Sequence, residues 1–172
     1  MTPSKPDTVG TSADFVISRV FDAPRDLVWK AVTEPDRLRH WWGPKGFTVI
    51  ASKMDLRPGG TYHYGLKAPD GSPMWGKFVF RDIVAPERLV FISSFSDETG
   101  GTARHSAHLT WPLEMLSVFA FEDLGGQTRF TVRSASYNAS EDERKTFDDG
   151  HASMRIGWGG TLDQLADYLA KA

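Results

Sequence analysis

Residues 140–169 read S-E-D-E-R-K-T-F-D-D-G-H-A-S-M-R-I-G-W-G-G-T-L-D-Q-L-A-D-Y-L. Ser140 and Glu143 form a capping box, in which two backbone N–H groups at a helix start are satisfied reciprocally. Phe147, His151, Met154, Trp158, Leu162, Leu165 and Leu169 then recur at intervals of three or four, so they share one helical face. The stripe predicts a single C-terminal helix of about 30 residues, long enough at 1.5 Å per residue to cross a small domain. Gly150, Gly157, Gly159 and Gly160 interrupt it. Each costs about 1 kcal/mol relative to alanine. That cost implies either a close approach by the sheet or a bend of the helix around something.

Upstream of this helix the period is that of strands. Phe15–Phe21 is β-branched and aromatic, and residues 47–54, 61–67, 74–84, 89–95, 113–122 and 128–134 follow the same pattern. Turn residues separate them: Pro58-Gly59-Gly60, Pro69-Asp70-Gly71, Ala85-Pro86-Glu87 and Gly125-Gly126. Short connections favour antiparallel neighbours. Residues 96–112 form a longer loop rich in Gly, Ser, Thr and His. Between the first two strands the period changes. Pro24 suits a helix start, and Leu27, Val28, Ala31 and Val32 follow at helical spacing. Thr33 is positioned to cap a second short helix with Pro35 in its first turn. Leu38, Trp41 and Trp42 fall on one face before Gly43-Pro44 ends that helix. The class is therefore α+β: a curved antiparallel sheet of about seven strands wrapped around a long C-terminal helix, with two short helices after the first strand. The helix is the only large element available to cover the apolar face of the sheet.

Composition narrows the function classes. The chain has 172 residues, which favours one domain, and a domain near that size buries roughly 70% of its unfolded surface. Residues 1–13 are polar and contain Pro and Gly, so they read as a disordered leader before a single domain over 14–172. There are no cysteines, which excludes disulfides and thiolate chemistry and suits the cytoplasm. Net charge is −2 from 20 basic and 22 acidic residues, with no basic stripe, which argues against nucleic-acid binding. No apolar run approaches the roughly 18 residues of a membrane span, and no secretory signal is read at the N-terminus. Nucleotide-loop, serine-hydrolase and zinc-protease signatures are lacking.

Several motifs are shared with a known family. They are F-D-A-P-R-D-L-V-W-K-A at 21–31, H-W-W-G-P-K-G-F at 40–47, R-P-G-G at 57–60 and P-D-G at 69–71. A-P-E-R-L-V-F at 85–91, G-G-Q-T-R-F-T-V at 125–132 and G-W-G-G-T-L-D-Q-L at 157–165 follow in order. Over residues 15–170 the chain resembles the helix-grip fold of the SRPBCC (START-like) superfamily. Within it, the chain is similar to the branch named after the activator of heat-shock protein 90 ATPase, C-terminal domain. The resemblance implies an apolar cavity between sheet and helix. It also leaves several functions open, because one fold hosts many. The first is binding of a small hydrophobic or aromatic molecule. The others are a chaperone- or protein-partner-binding module, and a cyclase- or hydrolase-type enzyme. No cofactor is implied, and monomer and homodimer remain alternatives.

Strand alternation assigns candidate pocket residues. Tyr62 and Tyr64 share a face, as do Phe78 and Phe80, and Met115 and Phe119. With Trp41, Trp42, Phe147, His151, Met154 and Trp158 they form the expected lining, although any of them can equally be plain core. Buried tyrosines need partners, and an apolar pocket with a few polar groups is the usual form of a ligand site. His151 is either a hydrogen-bonded core histidine or a polar anchor or general base in the cavity. His105, His108 and Trp111 read as a lid or as a plain solvent loop. Their H-x-x-H spacing lacks a carboxylate companion, so no metal site is expected. Adjacent helical positions differ by about 100°, so one of Trp41 and Trp42 is expected as an inward plug. The other is expected at the pocket entrance or on the surface.

Overall fold

The structure is a computed structural model, and it describes residues 14–105 and 107–172. The expected leader, residues 1–13, lies outside the described residues. Strand β1 (Phe15–Phe21) leads into α1 (Arg25–Thr33) and α2 (Pro35–Leu38), followed by β2 (Thr48–Met54), β3 (Thr61–Lys67) and β4 (Pro73–Val84). Then come β5 (Arg88–Ser96), β6 (Thr102–Ala103), β7 (Glu114–Asp123) and β8 (Thr128–Tyr137), and finally α3 (Glu141–Asp149) and α4 (His151–Lys171). All strand pairs are antiparallel, in the order β1-β8-β7-β5-β4-β3-β2. This is the helix-grip arrangement that the sequence implies, with one addition. The two-residue β6 pairs with Phe95 and Ser96, beyond the last β7 partner of β5 at Ser93. It gives order to part of the loop that composition alone reads as irregular.

Local chemistry explains the element ends. Pro24 is the N-cap of α1. Thr33 does not cap α2, contrary to expectation. It is the last residue of α1, and its hydroxyl donates back to the Trp29 carbonyl at 2.7 Å, while Glu34 occupies the cap. The capping box forms as the sequence predicts: Glu143 N donates to Ser140 Oγ, and Ser140 N donates to Glu143 Oε1.

The predicted single helix is two. It is interrupted at Gly150, whose backbone sits at φ −88° and ψ −2°. A Cβ at Gly150 would lie 2.8 Å from the Trp111 ring, so the loop before β7 occupies the notch that the missing side chain leaves. Gly160 serves a second close approach. Its neighbour is the turn after α2 rather than the sheet, and a Cβ there would meet Lys45 Cβ at 3.3 Å.

The inner sheet face packs Phe80, Leu89, Phe91, Phe119, Phe121, Phe130 and Val132 against α1 and the second half of α4. Leu162, Leu165 and Leu169 supply the helix side. Among the described residues no helix is long and apolar enough to cross a membrane.

Two glycines give opposite expectations. At Gly60 a Cβ would stand 2.1 Å from the Asp55 carbonyl oxygen, which is backbone and cannot rotate away. Gly60→Ala should destabilise the protein by about 3 kcal/mol, the upper range for overpacking. Gly159, helical and with nothing within 4 Å of its Cβ position, should gain about 0.5–1 kcal/mol on substitution by alanine. Urea denaturation measures both, and equal effects would contradict this reading.

Candidate ligand-binding cavity

A cavity of about 690 Å³ lies between the inner sheet face, α4 and the loop before β7. That volume is within the usual range for small-molecule sites. One side is a wall of rings: Trp42, Tyr64, Phe78, Phe91, Phe119 and Trp158. Trp42 is its hub. Its ring lies edge-on to Trp41, Tyr62, Tyr64, Phe78 and Trp158, with centroids 5.4–6.3 Å apart, the geometry aromatic quadrupoles prefer.

The segment that carries Trp42 is irregular backbone inside the core, so its carbonyls need donors. Gln164 Nε2 donates to the Trp41 and Gly43 carbonyls at 3.1 and 2.8 Å. Thr161 Oγ1 donates within 3.0 Å of the Gly43 and Gly157 carbonyls. Trp41 points the other way and donates its indole N–H to the Ala31 carbonyl at 3.0 Å. The two tryptophans therefore divide as core plug and cavity wall. Neither is on the surface: Trp41 is 2% exposed and Trp42 7%. Both can be buried because the helix ends at Leu38 and the chain turns between them.

Other parts of the lining are more polar. Ser93, Ser117 and Ser134 lie on adjacent strands and are joined through their hydroxyls, 3.3 Å from Ser93 to Ser117 and 2.9 Å from Ser117 to Ser134. Thr146, Asp149 and Ser153 contribute from α3 and α4. The loop docks on α3 through the Arg104–Glu143 ion pair and the Thr110–Thr146 hydroxyl contact at 2.8 Å. Its residues His105, His108 and Trp111 all line the cavity. His105 Nδ1 accepts the backbone N–H groups of Ala107 and His108 at 3.0 and 3.2 Å. Only an unprotonated Nδ1 can do this, so the ring is neutral with its proton on Nε2.

Of the residues expected from sequence, Trp42, Tyr64, Phe78, Met115, Phe119, Met154 and Trp158 lie on the wall. Trp41, Tyr62, Phe80, Phe147 and His151 do not. Tyr62 is fully buried, with its hydroxyl 3.3 Å from Ser52 Oγ. Phe80 packs one residue pair further along the strand, against Phe91. Phe147 sits before the helix break, beside Trp111.

His151 is the main correction. Its ring lies between Phe15 and Phe147, at 5.7 and 5.1 Å, and its Nε2 is buried without a hydrogen-bond partner. This edge of the stripe packs toward β1, and the neighbouring helix face, with Thr146, Gly150, Ser153 and Gly157, lines the cavity instead. Burial pushes both the Tyr62 and Tyr64 hydroxyls well above the usual phenol range, so both stay protonated. A His151–tyrosine acid–base pair is thus not assembled. His105 and His108 stand 4.8 Å apart, and among the described residues no group of three or more potential metal ligands is gathered.

Sequence reasoning did not single out the wall residues Phe91, Ser93, Phe95, Ser117, Ser134 and Gly157. Alternation carries the signal for the serines: Ser117 lies between Met115 and Phe119 on the same inward face, and Ser134 follows Phe130 and Val132.

The model of the Activator of Hsp90 ATPase homolog 1-like protein family matches residues 22–170. The chain belongs to this family. It is similar to a protein of known structure from Arthrobacter aurescens, with 25% identity and a TM-score of 0.77 over 98% of this chain and 91% of that one. A protein from Nitrosomonas europaea gives 25% identity and 0.73 over 92% and 94% of the two chains. An AHSA1 protein from Silicibacter pomeroyi shares the fold at 21% identity and 0.68, over 92% and 98%. No curated protein matches the chain. Membership in the Activator of Hsp90 ATPase homolog 1-like family brings a general START-like, ligand-binding type of fold and does not name a ligand.

Burial, together with the neighbouring His108, holds His105 below the usual imidazole range. The folded chain therefore takes up this proton less readily than the unfolded chain, whose value is about 6.5. The associated stability is complete above that pH and is lost as pH falls through the folded value. An NMR titration of the His105 ring should give a midpoint below that of a peptide histidine. A midpoint at or above it would contradict the buried position of the His105 ring.

Proposed function

We propose that the protein binds a small hydrophobic or aromatic molecule in the cavity between sheet and helix. The observation that carries this reading is Gly157. It lies on the helix side of the cavity, and nothing approaches within 4 Å of its Cβ position. Protein interiors are close-packed, and unfilled space forfeits dispersion contacts. A helix that faces a wall of aromatic rings with a glycine, at about 1 kcal/mol against alanine, leaves room that its own packing does not use.

The alternative of a chaperone- or partner-binding module rests on family likeness alone, whereas the cavity belongs to this chain. The enzyme alternative has less support, because its candidate base His151 stands apart from the cavity.

Thermal unfolding across a panel of fatty acids, flavonoids and polyketide-like aromatics tests the proposal. A true ligand at 100 times its Kd should stabilise the protein by about 2.7 kcal/mol. Gly157→Leu should fold at least as stably as the parent, through higher helix propensity, and should give a weaker response because its side chain projects into the cavity. If no compound shifts the parent, or if the variant responds equally, the proposal fails.

A further inference from the structure

Where β5, β7 and β8 border the cavity, the inner face of the sheet is aromatic and aliphatic except along one line. On β5 the inward residues are Phe91, Ser93 and Phe95. On β7 they are Met115, Ser117 and Phe119, and on β8 Phe130, Val132 and Ser134. Ser117 stands directly opposite Ser134 across the β7–β8 pair, and Ser93 is opposite Met115 on β7, two residues before Ser117. The three hydroxyls form a continuous chain across three strands. Ser117 and Ser134 are 3% and 5% exposed. Burying a hydroxyl without a partner costs about 1–3 kcal/mol in protein contexts.

The proton count is decisive. Three hydroxyls carry three protons, and the two bonds between them use two. When Ser117 accepts from one neighbour and donates to the other, the third is the proton of the end that Ser117 donates to, Ser93 or Ser134, and neither end makes a further hydrogen bond among the described residues. Both ends lie on the cavity wall. Because each hydroxyl can donate or accept, the chain can reverse direction and present its spare O–H at either end.

We infer that the occupant is a planar aromatic molecule bearing a hydrogen-bond-accepting oxygen, a carbonyl or ether, which docks on the Ser93–Ser117–Ser134 hydroxyl chain. This rests on the binding reading above. The rings of Trp42, Phe78, Phe119 and Trp158 provide the edges and faces that hold the aromatic body. The serine chain fixes its orientation because the spare O–H donates to an oxygen lone pair of the occupant. The assignment gives the cavity a specificity element: a hydrocarbon of the same shape leaves the spare proton unpaired, and a ketone does not.

The test uses two probes of nearly equal shape, 9-fluorenone and fluorene, read by quenching of tryptophan emission. The parent is compared with S93A/S117A/S134A, which removes every partner in the chain at once and so strands no hydroxyl. The ratio of fluorenone to fluorene affinity should be about tenfold higher in the parent than in the variant, the value of one hydrogen bond. Comparing ratios cancels the difference in hydrophobicity between the probes. The infrared carbonyl band of fluorenone bound to the parent should lie below its position in a hydrocarbon solvent. That second measurement needs no variant.

An unchanged ratio, or a carbonyl band at the hydrocarbon position, overturns the inference while leaving cavity binding intact. Failure of both probes to bind also overturns it. Cavity binding itself falls if no compound of the wider panel shifts the parent, or if Gly157→Leu responds equally.

Discussion

The rest of the structure depends on how the chain between α2 and β2 crosses the core. Residues 41–46 are irregular backbone at the end of the sheet, covered by α4. Irregular backbone in such a place exposes carbonyls that water cannot reach. Gln164 and Thr161 take the carbonyls of Trp41 and Gly43. This fixes the turn against the helix, and with it the two opposed directions of Trp41 and Trp42. It also explains why helix and turn come so close that Gly160 is needed beside Lys45. The two motifs that carry the family resemblance most visibly, H-W-W-G-P-K-G-F and G-W-G-G-T-L-D-Q-L, are thus the two halves of one contact. Each looks like a string of unrelated preferences until the other is placed against it.

The glycines of the C-terminal segment show why a single propensity penalty does not have a single cause. Gly150 makes a notch for Trp111, Gly157 opens toward the cavity, Gly159 meets nothing, and Gly160 admits the turn. Four equal costs on paper are four different local situations. The two that serve close approach bracket the cavity along the helix. The loop closes against one and the tryptophan turn against the other, so the helix side of the site is defined by where its side chains are missing.

Fold and site were legible to different depths. The helical stripe, the strand alternation and the turn residues determine the architecture, because each depends on local period alone. Part of the aromatic wall also follows, since Tyr64, Phe78 and Phe119 sit at inward positions of their strands. His151 shows the limit. It keeps its stripe partner Phe147 across Gly150, but that edge of the stripe packs on Phe15, while the neighbouring face, with Thr146, Gly150, Ser153 and Gly157, lines the cavity. Tyr62 and Phe80 show another. Alternation says which face a side chain takes, and it cannot say how far along the strand the cavity extends. The serines were readable by the same alternation that found Met115 and Phe119. Small polar residues carry little weight in a pattern of apolar lining.

What keeps the cavity open is a matter of where rings lie down. On β3 and β4, Tyr64 is paired with Gly76, and Gly65 with Trp75. A Cβ at Gly76 would meet the Tyr64 hydroxyl at 2.3 Å, and one at Gly65 would meet the Trp75 ring at 2.5 Å. Each aromatic residue therefore lies across the glycine of its partner strand, Tyr64 on the inner face and Trp75 on the outer face, where it also stacks on His63 at 5.3 Å. Aromatic cover of strand glycines pins register and shields backbone that a glycine leaves bare. On the inner face it has a further effect. Tyr64 rests back on the sheet instead of standing toward α4, while Gly157 withholds a side chain from the other side. The space between them is bounded by two absences on opposite walls, set by residues too far apart in sequence to compensate for each other by local repacking.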